Sequence, residues 1–104
     1  MAVVTVGREE DVAPGQALRV VVKGEPIAIF NAQGELYAIG DTCTHEEFSL
    51  SDGELVDDHT VECALHGAQF DIRSGAALSL PATLPTPTYP VWVEDGELKI
   101  EVEE

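Results

Sequence analysis

Basic residues are the scarcest class in this chain: five Lys and Arg stand against twenty Asp and Glu, a formal net charge of −15. Nucleic acid and anionic membrane surfaces both demand a basic face, so that balance argues against them as partners. It favours instead a partner with a basic docking surface, found by electrostatic steering. Cysteine is almost absent, with two residues in 104. Two could form one disulfide, but in a reducing compartment they read as ligands or free thiols. No apolar run approaches bilayer length, so no membrane span is predicted. The N-terminal residues lack a basic start followed by an apolar core, and the expected location is the cytoplasm. Internal repeats, heptads and any helix longer than about two turns are missing as well.

What remains is a run of short apolar segments broken by turn residues, the pattern of an all-β domain. Expected strands are Ala2–Val6, Ala17–Lys23, Pro26–Asn31, Leu36–Gly40, Gly53–Val56, Thr60–Cys63, Ala68–Ile72, Tyr89–Glu94 and Glu97–Glu103. Glu9–Gln16 and Asp41–Asp52 read as loops. Gln33-Gly34, Asp57-Asp58-His59 and Asp95-Gly96 read as hairpin turns. In the last strand Leu98, Ile100 and Val102 alternate with charged residues, giving one buried and one wet face. Pro81–Pro90 holds four prolines in ten residues. Such a stretch is stiff and extended, a surface linker or a cover over something.

Both cysteines and all three histidines fall between Cys43 and His66. The order is Cys43-Thr44-His45, then 17 residues, then Cys63-Ala64-Leu65-His66-Gly67. A hairpin over Gly53–Cys63 would return the second half-site beside the first. Like ligands would then pair across two fingers, with sulfur deeper and imidazole toward the tip. Structural zinc sites usually set like ligands next to each other, whereas this chain alternates Cys and His. His59, in a turn beside two aspartates, reads as a solvated turn residue.

The spacing C-x-H-x17-C-x-x-H-G resembles the Rieske 2Fe-2S motif, in which two His replace two Cys on one iron. Ser51-Asp52-Gly53, Gly67-Ala68-Gln69-Phe70-Asp71, Ser74-Gly75 and the proline stretch also sit where Rieske ferredoxins place similar residues. The resemblance implies one domain over 1–104, a Rieske-like fold of antiparallel sheets with a two-loop cluster-binding subdomain at about 41–86. It implies one 2Fe-2S cluster, with Cys43 and Cys63 on the inner iron and His45 and His66 on the outer. The proline stretch would be a third loop covering it. An oxidised cluster with two neutral His is formally neutral, two units less negative than an all-Cys cluster, so its potential is higher. Free imidazole nitrogens would make that potential pH-dependent.

High-potential relatives carry a loop disulfide and donor hydroxyls. At the matching positions this chain has Phe48 and Leu65, and Ala68 and Phe70, none of which can supply either. Glu46 and Glu47 add negative charge after His45. These differences imply a potential toward the low end of the Rieske range of about −150 to +300 mV. The implied function is a soluble low-potential electron carrier between a flavoprotein ferredoxin reductase and a terminal ring-hydroxylating dioxygenase, not itself an enzyme. Glu46 and Glu47 would help docking. Two other readings stand beside it: the Rieske-like small subunit of a nitrite reductase-type complex, and a structural zinc-binding module.

Overall fold

The computed structural model describes residues 2–42, 49–63, 67–79 and 84–102. Among these the chain forms ten strands and two three-residue 3-10 turns. The strands are β1 (Ala2–Arg8), β2 (Ala17–Val22), β3 (Glu25–Ala32), β4 (Glu35–Gly40), β5 (Glu54–Asp57), β6 (Thr60–Glu62), β7 (Gln69–Asp71), β8 (Thr88–Tyr89), β9 (Val91–Glu94) and β10 (Glu97–Val102). They make three antiparallel sheets, ordered β1-β10-β9, β2-β3-β4-β8 and β5-β6-β7. The expected all-β antiparallel fold is therefore what the chain adopts.

Strand β3 shows why the sheets stack as they do. Successive side chains of a strand point to opposite faces. Ile27 and Ile29 pack with Leu98, Ile100 and Val102 of β10, whereas Ala28, Phe30 and Ala32 pack with Val61, Phe70 and Ile72. Both faces of the central sheet are buried, which is why Ile27-Ala28-Ile29-Phe30 is a continuous apolar run rather than an alternating one. Strand β10, the middle strand of its sheet, has only one buried face and keeps the alternation expected for it.

Tight turns fix the registers. Lys23-Gly24, Gln33-Gly34 and Asp95-Gly96 all have positive φ at both positions, the mirror-image turn that suits strand twist. The β5–β6 turn is different. Its Asp57 Oδ1 accepts from the His59 backbone N–H at 2.9 Å, and the register skips Val56 as a bulge.

Three expectations need correction. Tyr89–Glu94 is not one strand. Thr88–Tyr89 pairs with β4, whereas Val91–Glu94 pairs with β10. Pro90 lacks an N–H and stands where the chain leaves one sheet for the next. The strand expected over Ala68–Ile72 is only Gln69–Asp71, since residues 72–74 turn so that Gly75 N–H can reach the Asp71 carbonyl. The two stretches read as loops each contain a 3-10 turn, at Glu9–Asp11 and Leu50–Asp52.

Candidate metal centre

Of the four expected ligands, the described residues include Cys63. Cys43, His45 and His66 lie outside them, as do Glu46, Glu47, Phe48, Leu65 and Pro81. What the structure does give is the ground in which those stretches are rooted.

Cys63 follows β6 directly and is fully buried. Its N–H donates to the Ala68 carbonyl at 2.7 Å, and its own carbonyl accepts from Gly67 N–H at 3.2 Å. The pairing of β6 with β7 thus continues one step past the strands. Gly67, at φ 74, takes the left-handed conformation that lets the chain turn back there. Leu50, Ala68 and Phe70 share the buried cluster around Cys63. A thiolate donor held dry among apolar side chains suits the inner iron of a cluster better than an open, water-exchanging metal site. The Cys and His spacing in the sequence is that expected of a Rieske centre, and the buried Cys63 fits it.

The root of the first stretch is organised by Asp41. Leu50 N–H donates to its carbonyl at 2.6 Å, and Ser51 N–H donates to its Oδ1 at 2.9 Å. Thr42 and Ser49 form a bridge between these points, closing the base of residues 43–48. Arg19 Nε, on β2, donates to Asp41 Oδ2 at 2.9 Å. Burial pushes the Asp41 carboxyl up. The hydrogen bonds it accepts from Ser51, Ser49 and Arg19 outweigh burial, and its pKa stands below the ordinary 3.8.

The two roots abut. A Cβ on Gly53 would stand 2.2 Å from the Glu62 carbonyl oxygen and 3.1 Å from that of Leu50. Only glycine permits this approach between the end of the first stretch and the residue before Cys63. The third stretch is fastened to the same region. Gln69 N–H donates to Ser79 Oγ at 3.1 Å, and Leu78 N–H to the Gln69 carbonyl at 2.8 Å. Beyond it, buried Thr86 donates through Oγ1 to the Gly40 carbonyl at 3.2 Å and through its N–H to the Gly75 carbonyl at 2.8 Å. The later half of the proline stretch is therefore part of the fold and not a linker.

Ala68 and Phe70 are both fully buried beside Cys63. The flank is acidic. Glu54 and Glu62 face each other directly across β5 and β6, a like-charge pair that costs stability. Gln69 Nε2 donates to Glu62 Oε1 at 3.2 Å. His59 lies at the far end of the β5–β6 hairpin, its side chain 41% exposed and 3.5 Å from Asp57. Sequence reasoning missed Asp41 and Arg19. A carboxylate ending the apolar run Leu36–Gly40 was a signal, but its partner is 22 residues away.

The sequence matches the family of the Rieske [2Fe-2S] domain over residues 2–90. It is 52% identical over 94 residues to the 3-phenylpropionate/cinnamic acid dioxygenase ferredoxin subunit of Escherichia coli (strain K12), covering 90% of this chain and 88% of that one. Among solved structures, the ferredoxin of carbazole 1,9a-dioxygenase from Nocardioides aromaticivorans IC177 superposes with a TM-score of 0.91 at 30% identity, covering 99% of this chain and all of that one. A ferredoxin chain in a complex of reduced oxygenase and oxidised ferredoxin of carbazole 1,9a-dioxygenase superposes with a TM-score of 0.87 at 35% identity, covering 97% of each chain.

Proposed function

The chain belongs to the Rieske 2Fe-2S family, and from that premise we propose that it carries single electrons from a flavoprotein ferredoxin reductase to a terminal ring-hydroxylating dioxygenase. It is an electron-transfer component and not a catalyst of substrate turnover. Its relatives are ferredoxin subunits of dioxygenase systems, and one similar ferredoxin is seen bound to its oxygenase. Among the described residues no helix is long and apolar enough to cross a membrane. The cytoplasm, where reduced nicotinamide nucleotides feed such reductases, is the compartment the role requires.

The observation that carries this reading is the buried Cys63 sharing one core cluster with Leu50, at the root of the Cys43–His45 stretch. Cys43 and Cys63 would hold the inner iron, and His45 and His66 the outer. Bound there, the cluster supplies a reversible one-electron couple. The protein's part is to orient and shield. Cys63 is fixed by its backbone pairing with Ala68, and Leu50 and Phe70 exclude water around it. Neither Ala68 nor Phe70 can donate a hydrogen bond from its side chain, which supports a potential low in the Rieske range. The β5-β6-β7 sheet and the pinned segments around it form the cluster-binding subdomain of about 41–86 within one domain, 1–104. The nitrite reductase-type reading is not favoured, since the 52% identical relative is a dioxygenase ferredoxin subunit.

Purified protein should be coloured, and after reduction should give the EPR signal of a mixed Cys- and His-ligated 2Fe-2S cluster. It should restore turnover when added to a flavoprotein reductase and a ring-hydroxylating oxygenase. A colourless, zinc-containing protein would sink the assignment. His45→Cys should lower the potential and leave His66 as the one imidazole that makes it pH-dependent.

A further inference from the structure

Asp41 is the only buried carboxylate among the described residues, and electron carrying as stated makes no use of it. Its hydrogen bonds reach three parts of the fold, β2, β3 and the 3-10 turn Leu50–Asp52. Its N–H donates to the Pro26 carbonyl at 3.0 Å, and its carbonyl accepts from Leu50 N–H. Its two carboxylate oxygens accept separately from Ser51 N–H and Arg19 Nε, each at 2.9 Å. The carboxylate is 2% exposed, whereas the Arg19 side chain is 50% exposed.

A buried carboxylate is a costly way to fasten a loop, because desolvation offsets much of the attraction to its partner. A neutral amide could also accept the Ser51 bond, though more weakly. What the pair adds beyond fastening is fixed charge. A dry carboxylate stands two residues before Cys43, balanced by a guanidinium that reaches across from β2.

We propose that Arg19 and Asp41 are a positioning pair for the cluster. Asp41 clamps the root of the Cys43 stretch, Arg19 holds Asp41 in place, and each charge offsets the other's pull on the potential at which the centre accepts an electron. The inference rests on the assignment of Cys43 as a ligand. A carboxylate near the centre disfavours an added electron and a guanidinium favours it, so removing either charge unbalances the field in opposite directions. The Arg19 charge is closer to solvent and better screened, so loss of the buried Asp41 charge has the larger effect.

The test is a redox titration, followed by EPR, of wild type, Arg19→Gln, Arg19→Lys, Asp41→Asn and the double variant Arg19→Gln/Asp41→Asn. The midpoint should fall in Arg19→Gln and rise further in Asp41→Asn. The double variant should return toward wild type, and Arg19→Lys should stay near it. A purely structural clamp would broaden signals or lower cluster content without this opposition of sign. Shifts of the same sign, or none, overturn the proposal. If Arg19→Gln fails to fold, Asp41→Asn against Arg19→Lys decides: a rise in the first with little change in the second supports the pair, and any other pattern overturns it. A wild-type protein without a Rieske signal would overturn the family-based reading instead. A normal wild type with insensitive variants would overturn only the role of the pair.

Discussion

Gly75 and Gly96 have nearly the same backbone conformation, at φ 79 and 80, but different surroundings. A Cβ on Gly75 would lie 2.0 Å from the Thr86 carbonyl oxygen, whereas on Gly96 the nearest atom is the end of the Arg8 side chain at 3.9 Å. Gly96→Ala should therefore cost only the left-handed strain, about 1–2 kcal/mol. Gly75→Ala adds displacement of the segment behind Thr86, roughly 1–3 kcal/mol more. Equal losses in chemical denaturation would show that the close approach contributes nothing. A second prediction belongs to one buried methyl group. Ala68→Ser places a hydroxyl beside Cys63, and where it donates to cluster or cysteine sulfur the reduced state is stabilised. The midpoint should rise, and an unchanged value in a redox titration would count against the reading of Ala68.

Thr86 decides how an element is held. Its two bonds join the β4 end at Gly40 to the turn at Gly75, so the later half of the proline stretch is clasped from both sides. Thr86→Val keeps the shape but leaves the Gly40 carbonyl without that donor. A loss of about 1 kcal/mol in thermal or denaturant unfolding is expected. Elements of this kind mark the limit of what could be read from sequence. The alternation of Leu98, Ile100 and Val102 and the dipeptide Asp95-Gly96 encode their strand and turn locally, and both were legible. So was the β5–β6 hairpin that returns Cys63 toward Leu50. The break at Pro90 was less so, because apolar residues continue on both sides and only tertiary pairing shows that they serve different sheets. The Asp41–Arg19 clamp was not legible, since it joins residues on separate strands with no shared local pattern. Cysteine and histidine spacing carried the candidate site, because ligand chemistry restricts both residue type and order.

At the scale of the whole molecule, charge dominates. A net charge of −15 on 104 residues repels itself in the folded state. Raising ionic strength from about 0.01 to about 0.15 M shortens the screening length from about 30 to about 8 Å, and the unfolding temperature should rise. A flat response would mean that the acidic residues are already spaced beyond mutual reach. Against this repulsion act carboxylates held by specific donors. Asp71 accepts from the Arg73 side chain, which holds its pKa below the ordinary 3.8 despite an opposing burial effect. A depressed folded pKa contributes stability that is present above pH about 3.8 and is lost as pH falls through the folded value. The stability gap between wild type and Asp71→Asn should accordingly close during acid titration. A gap that stays constant would show that the ionised form is not what matters.

The bond network at the three roots has a consequence for the life of the protein before it holds iron. Thr42 meets Ser49, Cys63 meets Ala68, and Ser79 meets Gln69 through backbone, bridge or hydroxyl contacts that contain no metal. Among the described residues the two hydrophobic cores likewise close around side chains, Cys63 being the one expected ligand in them. These contacts are expected to form without the cluster, so that folding can precede its insertion. Protein stripped by a chelator should keep its far-ultraviolet β-sheet spectrum and regain colour on reconstitution. A stripped chain that keeps this spectrum would escape the proteases that act on unfolded chains and, in a cell short of iron, accumulate as a refillable reserve.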